Sequence, residues 1–212
     1  MPEGYPRYYA VNDRLVVLGE VEGGGVDCLA FDFVTGDFVV AREYSEALTP
    51  GSGKDVDAFT PEEFARVLAE RRAEVLVDWA RRIAAGSGET PDGLLRDLGI
   101  DRALVPWYGD EVIEPPPLGA TRVRLRGGVP SMASVEVSPA AGTLTLGMLD
   151  ARLGERQELP RLHWDSPYTL AYDVRSADPP GRCTVFARTP ESPGPETAVV
   201  SVTLRTEPKQ AG

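Results

Sequence analysis

Residues 60–86 read TPEEFARVLAERRAEVLVDWARRIAAG and carry the strongest local signal of secondary structure in the chain. Thr60, followed by Pro61 and then by Glu63 three residues after the cap, is typical of a capping box, which satisfies the first amide groups of a helix. Apolar residues then recur mainly at spacings of three and four until Gly86, a residue that favours helix termination. The pattern predicts one helix of about 25 residues.

Short apolar runs separated by turn residues precede this helix. They cover residues 14–21, 26–34 and 38–41, and such runs with glycine-containing breaks are typical of antiparallel strands that follow one another in sequence. A second capping sequence at residues 90–92 predicts a short helix that ends at Gly99. We therefore expect an α+β fold that begins with an antiparallel meander and a long helix.

The chain changes character near residue 113. The three prolines at 115–117 favour an extended spacer, because proline cannot continue a helix or fill an interior strand. The short runs that follow favour an all-β half, either sandwich-like or a partly open barrel. We predict an acidic α+β domain at residues 1–112, a Pro-rich linker at 113–119 and an all-β domain at 120–212. The strands predicted in the last domain cover residues 121–125, 133–137, 143–149, 168–174, 183–187 and 197–204.

Acidic residues outnumber basic ones, 33 to 22 in 212 residues, which gives a formal net charge of -11. This balance repels phosphate backbones and anionic lipid headgroups, so neither nucleic acid nor a membrane surface is an expected partner. Residues 1–112 hold 22 of the acids and 11 of the bases, and the remaining residues hold 11 of each. An acidic surface steers basic partners, and the candidate partner-binding acids are Asp32, Asp37, Glu43 and Glu46.

Cysteine and histidine are both scarce. Cys28 and Cys183 each lie in an apolar run and far apart in sequence, so we expect two buried free thiols rather than a disulfide framework. His163 is the single histidine, which excludes histidine-based zinc sites. The glycines at 23–25 lie between two strand-like runs and predict a hairpin loop, not a phosphate cradle. We expect no cofactor and no metal.

The compartment follows from the same features. No stretch of about 18 apolar residues occurs, and the first seven residues contain no apolar core after a basic segment. The sequence therefore predicts a cytoplasmic protein.

His163, Trp164 and Asp165 form the first candidate for chemistry, because an imidazole close to a carboxylate can act as an oriented general base. No Gly-x-Ser-x-Gly elbow or comparable cysteine accompanies them. Packing of a partly buried His163 and Trp164 at the end of a β-domain is the interpretation that we favour. The alternative is a small-molecule pocket or an active site around His163, Trp164 and Tyr168.

A second candidate combines two aromatic residues with two acids. Trp107, Tyr108, Asp110 and Glu111 precede the proline-rich segment, and their composition resembles that of a protein-binding patch. The same aromatics are equally suited to sealing a joint between domains, because large aromatic residues near a boundary are usually buried.

Residues 26–40 (VDCLAFDFVTGDFVV) and residues 59–68 (FTPEEFARVL) resemble the C-terminal part of the SUKH-superfamily immunity proteins. Those proteins similarly run a strand, an Asp-x-x-x-Gly hairpin, another strand and a capped helix with a phenylalanine. The resemblance covers about 45 residues, roughly a fifth of the chain. It implies a bacterial protein that neutralises a toxin by binding it, without chemistry of its own.

Three classes of function stay open from the sequence. A non-catalytic protein-binding module, such as an immunity protein that binds a basic toxin, is the one we favour. An enzyme or small-molecule-binding protein with a pocket in the β-rich half is the second. A regulatory or assembly subunit whose two halves hold partners together is the third.

Overall fold

The computed structural model describes residues 4–21, 25–45, 48, 56–86, 88–127, 132–177 and 180–206. The chain divides into two compact units, which we call the first unit (residues 1–71) and the second unit (residues 72–212). The predicted α+β class is confirmed, with two antiparallel sheets and α-helices in the described residues. The helices are α1 (Pro61–Ala85), α2 (Pro91–Leu98) and α3 (Leu146–Leu153).

Strands account for most of the remaining regular structure. In chain order they are β1 (Arg7–Val11), β2 (Arg14–Val21), β3 (Gly25–Phe31), β4 (Phe38–Val40), β5 (Val56–Phe59), β6 (Ala103–Trp107), β7 (Asp110–Glu114), β8 (Arg122–Arg126), β9 (Ser134–Ser138), β10 (Gln157–Glu158), β11 (Tyr168–Ala177), β12 (Pro180–Thr189) and β13 (Ser201–Thr206).

The first unit contains a five-stranded sheet in the order β4-β3-β2-β1-β5. The predicted meander is confirmed as β2, β3 and β4, and the sheet also contains β1 and β5, which the sequence pattern did not reveal. Phe64, near the start of α1, stacks on Tyr8 with a ring-centroid distance of 4.5 Å and lies close to Phe38 and Phe59. A separate buried cluster contains Val11, Val16, Cys28, Ala30 and Ala41.

Both predicted helices form with the predicted caps. The Thr60 hydroxyl accepts a hydrogen bond from the Glu63 amide at 3.2 Å, and Glu63 Oε2 accepts one from the Thr60 amide at 2.9 Å. The Thr60 amide is the main reason that the pKa of Glu63 lies below its ordinary value. The Thr90 hydroxyl caps α2 by accepting a hydrogen bond from the Gly93 amide, and Gly99 ends the helix in the left-handed conformation.

The second unit contains one eight-stranded sheet in the order β10-β11-β12-β13-β9-β8-β7-β6. Residues 120–212 therefore contribute strands to one open sheet that also contains β6 and β7. They also contain helix α3, so the prediction that this half is all-β is wrong. Residues 143–149, predicted as a strand, instead lead into α3, because Leu146 and Leu149 are three residues apart and are both buried on one side of a helix.

The domain boundary also differs from the one expected from composition. The segment at 113–119 links β7 to β8, and these two strands pair in the same sheet. The prolines at 115–117 thus form a stiff connection between neighbouring strands, and the division between the units falls after Arg71, inside α1.

One face of the eight-stranded sheet is apolar and supports the helices of the second unit. Gly181 on β12 lies so close to α1 that an added Cβ would collide with the carbonyl oxygen of Ala84. Tyr172 on β11 donates a hydrogen bond of 2.9 Å to Asp150 of α3, and Arg156 pairs with the same carboxylate. Burial and the Asp150 contact raise the pKa of the Tyr172 phenol. The absence of a side chain at Gly181 therefore allows the close approach of α1, and the contacts of Asp150 with Tyr172 and Arg156 position α3.

Within the described residues, no helix is long and apolar enough to cross a membrane.

Replacing Gly181 by alanine should destabilise the second unit by about 1–3 kcal/mol, the usual cost of overpacking, because the helix must move away from β12. Gly127→Ala is the matched control, since its new Cβ would lie 3.4 Å from Pro91 Cδ, an ordinary contact. Urea unfolding of both variants measures the difference. Equal stability of the two variants would contradict the close approach of α1 to the sheet.

Candidate functional site

A tight hairpin presents the two aromatic residues that the sequence analysis selected. Trp107 on β6 pairs with Asp110 on β7, and only Tyr108 and Gly109 connect the strands. Both loop residues have positive φ angles, 46° and 87°, as in a type I′ turn. The Tyr108 side chain is 93% exposed, and its ring meets the Trp107 ring edge-on at a centroid distance of 5.0 Å.

Two arginines of the neighbouring part of the sheet cover the Trp107 ring. The guanidinium carbons of Arg122 and Arg124 lie 4.5 Å and 5.3 Å from its centroid. These residues are two positions apart on β8, so both side chains leave the same face of the sheet. Cation–π attraction fixes the indole ring. We call Trp107, Tyr108, Arg122 and Arg124 the Trp107 cluster.

Asp110 supports this cluster from within. Its two carboxylate oxygens accept hydrogen bonds of 2.8 Å and 2.9 Å from Arg126, and Arg124 lies at 3.4 Å. Hydrogen bonding to Arg126 lowers the pKa of Asp110. Arg124 also pairs with Glu136 on β9. The Asp110 charge is therefore already compensated inside the protein, and its role is to position arginines.

Glu111, the fourth residue of this predicted set, lies apart from the others. It is half-buried and pairs with Leu125, whose side chain belongs to the apolar face of the sheet. The structure thus brings Trp107 and Tyr108 together on one surface, keeps Asp110 behind them and places Glu111 on the other face.

The predicted acidic residues of the first unit have different roles. Asp32 holds the β3–β4 turn, because its carboxylate accepts hydrogen bonds from the amides of Val34 and Thr35 and from the Thr35 hydroxyl. Asp37 is half-buried next to the same turn, and Glu43 is exposed in a short 3₁₀ helix. Glu46 lies outside the described residues.

The loop between β10 and β11 contradicts the packing interpretation of His163 and Trp164. Both side chains are exposed, Trp164 by 87%, and the adjacent Leu162 is 90% exposed. Arg161 explains this arrangement, since it donates a hydrogen bond of 2.9 Å to the Trp164 carbonyl and lies 4.2 Å from the ring centroid of the half-buried Tyr168. These contacts hold the loop on the surface.

An open depression of about 720 Å³ lies in the first unit, away from these residues in sequence. Arg14 crosses it between two aromatic rings, with its guanidinium 5.7 Å from the Phe33 centroid and 5.9 Å from that of Tyr44. The residues that line the depression are Val11, Asn12, Asp13, Arg14, Phe33, Tyr44 and Arg71.

Sequence reasoning missed the arginines of β8. The segment Arg122–Arg126 reads RVRLR, and strict alternation of basic and apolar residues indicates a strand with an apolar face and a cationic face. That signal was present in the sequence. Which aromatic ring the arginines cover was not, because Trp107 reaches β8 only through strand pairing.

Comparisons of this chain with protein-family models, with curated proteins and with solved structures found no match.

The Asp32 turn makes stability depend on pH. Burial raises the pKa of Asp32, but the hydrogen bonds from Thr35 and Val34 outweigh it, so the folded-state pKa lies below its ordinary value. The resulting stabilisation is complete above the unfolded-state pKa of about 3.9 and is lost as the pH falls through the lower folded-state pKa.

Asp32→Asn, which keeps the turn geometry but removes the charge, should therefore destabilise the first unit at pH 7 by up to about 1 kcal/mol. The difference from the unchanged protein should shrink as the pH falls from 4 towards 2. Urea titrations at several pH values test this. A difference that stays constant across the range would show that the Asp32 charge does not contribute.

Proposed function

We propose that this protein is a protein-binding module and that the Trp107 cluster is its anchor. Trp, Tyr and Arg are the residue types that dominate the binding energy of protein interfaces. In this cluster the two guanidinium groups and the indole ring fix one another before any partner arrives. Such preorganisation reduces the conformational entropy that is lost on association.

The conformation of Tyr108 is the observation that carries the proposal. A bulky residue with φ of 46° is unfavourable, and Asn is the preferred residue at the first loop position of a type I′ turn. The β1–β2 hairpin of the same chain follows that preference with Asn12, at φ of 49°. A tyrosine that is 93% exposed at the equivalent position contributes little to the core. Binding is the function that accounts for it.

Tyr108→Asn should strongly weaken partner binding without harm to the fold, because Asn-Gly is the favoured sequence for this turn. The experiment is capture of partners from the native host, quantified by mass spectrometry, with Trp164→Ser as the control for loss of another exposed aromatic residue. We expect the affinity for the captured partner to fall at least ~30-fold in Tyr108→Asn and to change little in the control.

A partner that binds Tyr108→Asn as tightly as the unchanged protein would refute the anchor. Circular dichroism of both variants shows whether a loss of binding comes from unfolding. An intact spectrum of Tyr108→Asn together with partner binding weakened at least ~30-fold supports the proposal.

The charge of the first unit favours a second form of the same function, the capture of a basic protein. Residues 1–71 contain 14 acids and 6 bases, and Glu43 presents its carboxylate to solvent. The resemblance to SUKH-superfamily immunity proteins gives this form a biological setting, in which the basic partner is a toxin in the bacterial cytoplasm. Cys28 and Cys183 are both buried and form no disulfide bond, as expected, and reduced thiols suit a reducing compartment.

Neutralising Asp37, Glu43 and Glu46 together, as Asp37→Asn, Glu43→Gln and Glu46→Gln, should mainly lower the association rate for a basic partner. Asp32 is left intact because it holds a turn. Asp101→Asn, Glu155→Gln and Glu158→Gln in the second unit form the control with the same change in net charge. Stopped-flow association at two salt concentrations tests this, and equal rates for the two triple variants would refute steering by the first unit.

A further inference from the structure

The second face of the eight-stranded sheet is largely polar from β11 to β8. Strand registers place Thr169 opposite Arg188, Arg188 opposite Ser201, and Thr203 opposite Glu136. Register and alternation assign six hydroxyl residues, four acids and seven arginines to this face, besides Gln157, Trp107, Phe186 and a few small or aliphatic residues. The arginines are Arg122, Arg124, Arg126, Arg175, Arg182, Arg188 and Arg205. We call this surface the arginine face.

Carboxylates on the arginine face are shared among arginines. Asp110 contacts Arg124 and Arg126, and Asp173 contacts Arg175 and Arg182. Burial raises the pKa of Asp173, but the hydrogen bonds from Arg175 and Arg182 outweigh it and lower that pKa overall. The four acids leave a net charge of about three positive units on this face, within a chain whose net charge is -11. The arginine face therefore carries a local excess of positive charge in a chain that is acidic as a whole.

We infer that the arginine face is a docking surface for an acidic segment of a protein. Guanidinium groups donate in a planar fork that matches a carboxylate, and all seven bases on this face are arginine. Ser138, Ser201 and Thr203 supply hydroxyl groups between the arginines. The Trp107 cluster forms one edge of the face, so this inference rests on the proposed function and names the chemistry of the partner.

Two observations favour an acidic protein segment over single-stranded nucleic acid. Bases bind to sheet surfaces by stacking on open aromatic rings. On the strands of this face, however, Arg122 and Arg124 cover Trp107, and Arg205 lies 4.6 Å from the Phe186 centroid, whereas the exposed Tyr108 ring lies in the hairpin at the edge. The arginines of this face also already bind carboxylates, since Asp110 accepts hydrogen bonds from Arg126 and Asp173 accepts hydrogen bonds from Arg175 and Arg182.

The test uses the full chain with fluorescein-labelled poly-L-glutamate of 20 residues as the probe, measured by fluorescence anisotropy at low salt. Arg122→Gln combined with Arg188→Gln removes two exposed arginines from opposite sides of the arginine face. Arg81→Gln combined with Arg96→Gln removes two exposed arginines from α1 and α2 and is the control of equal charge. Labelled oligo-dT of 20 nucleotides is measured in parallel, and light scattering follows the mass of the protein.

We expect the probe to bind, to weaken with added salt, and to bind roughly fivefold less tightly to the face variant, in line with the usual effect of two exposed charge pairs. The control should change by less than twofold. No binding, or equal losses in both variants, would overturn the inference. Tighter binding of oligo-dT would assign the face to nucleic acid, and a self-association that only the face variant loses would assign it to a second copy of the chain. Either result would overturn it too.

The proposed function fails separately. Partner capture by Tyr108→Asn measures the anchor, whereas binding of poly-L-glutamate to the unchanged protein, to the face variant and to the Arg81/Arg96 control measures the arginine face. If poly-L-glutamate binds as expected but partner capture does not depend on Tyr108, the anchor is refuted and the inference about the arginine face stands.

Discussion

The two-residue period of an extended strand is the constraint on which the second unit depends. Eight strands pair in fixed registers, so that residues on one face of a strand lie beside residues on the same face of the next strand. Val123, Val137, Val202 and Val185 therefore all face the helices, while Arg124, Glu136 and Thr203 all face the other way. A slip of one residue in the register of β8, β11, β12 or β13 would bring arginines into the core.

That constraint also explains why the helices can approach one side so closely. Gly181 leaves space for the α1 backbone at Ala84, and Tyr172 reaches Asp150 of α3 with its hydroxyl while its ring stays in the core. In the part of the chain that the structure describes, every buried side-chain nitrogen or oxygen has a hydrogen-bond partner, so the helices gain fixed positions. The charged residues of β8, β9 and β11 to β13 lie on the opposite face of the sheet, where all the basic residues of the strands are arginines.

The candidate site combines rigidity with exposure. Three features determine where the Tyr108 ring lies. They are the guanidinium groups that cover Trp107, the Asp110 carboxylate that positions arginines, and the two-residue turn. In the first unit, by contrast, the Asp32 carboxylate is used to close a turn. Both segments combine aromatic and acidic residues in sequence. The turn at Asp32 maintains the fold, whereas the hairpin at Tyr108 presents a surface.

The sequence by itself determined the elements whose signals are local. The capping box at Thr60, the apolar spacing of α1, the cap of α2 and the strands β2 to β4 could be predicted because each depends on hydrogen bonds or periodicity within a few residues. Tertiary structure alone decided the rest. Composition suggested a boundary at the prolines of 115–117, but β7 pairs with β8 across them; the run at 143–149 leads into a helix because Leu146 and Leu149 are buried together. The Trp107 cluster exists only because strand pairing brings β8 to the Trp107 hairpin, and pairing between distant segments leaves no mark in local sequence.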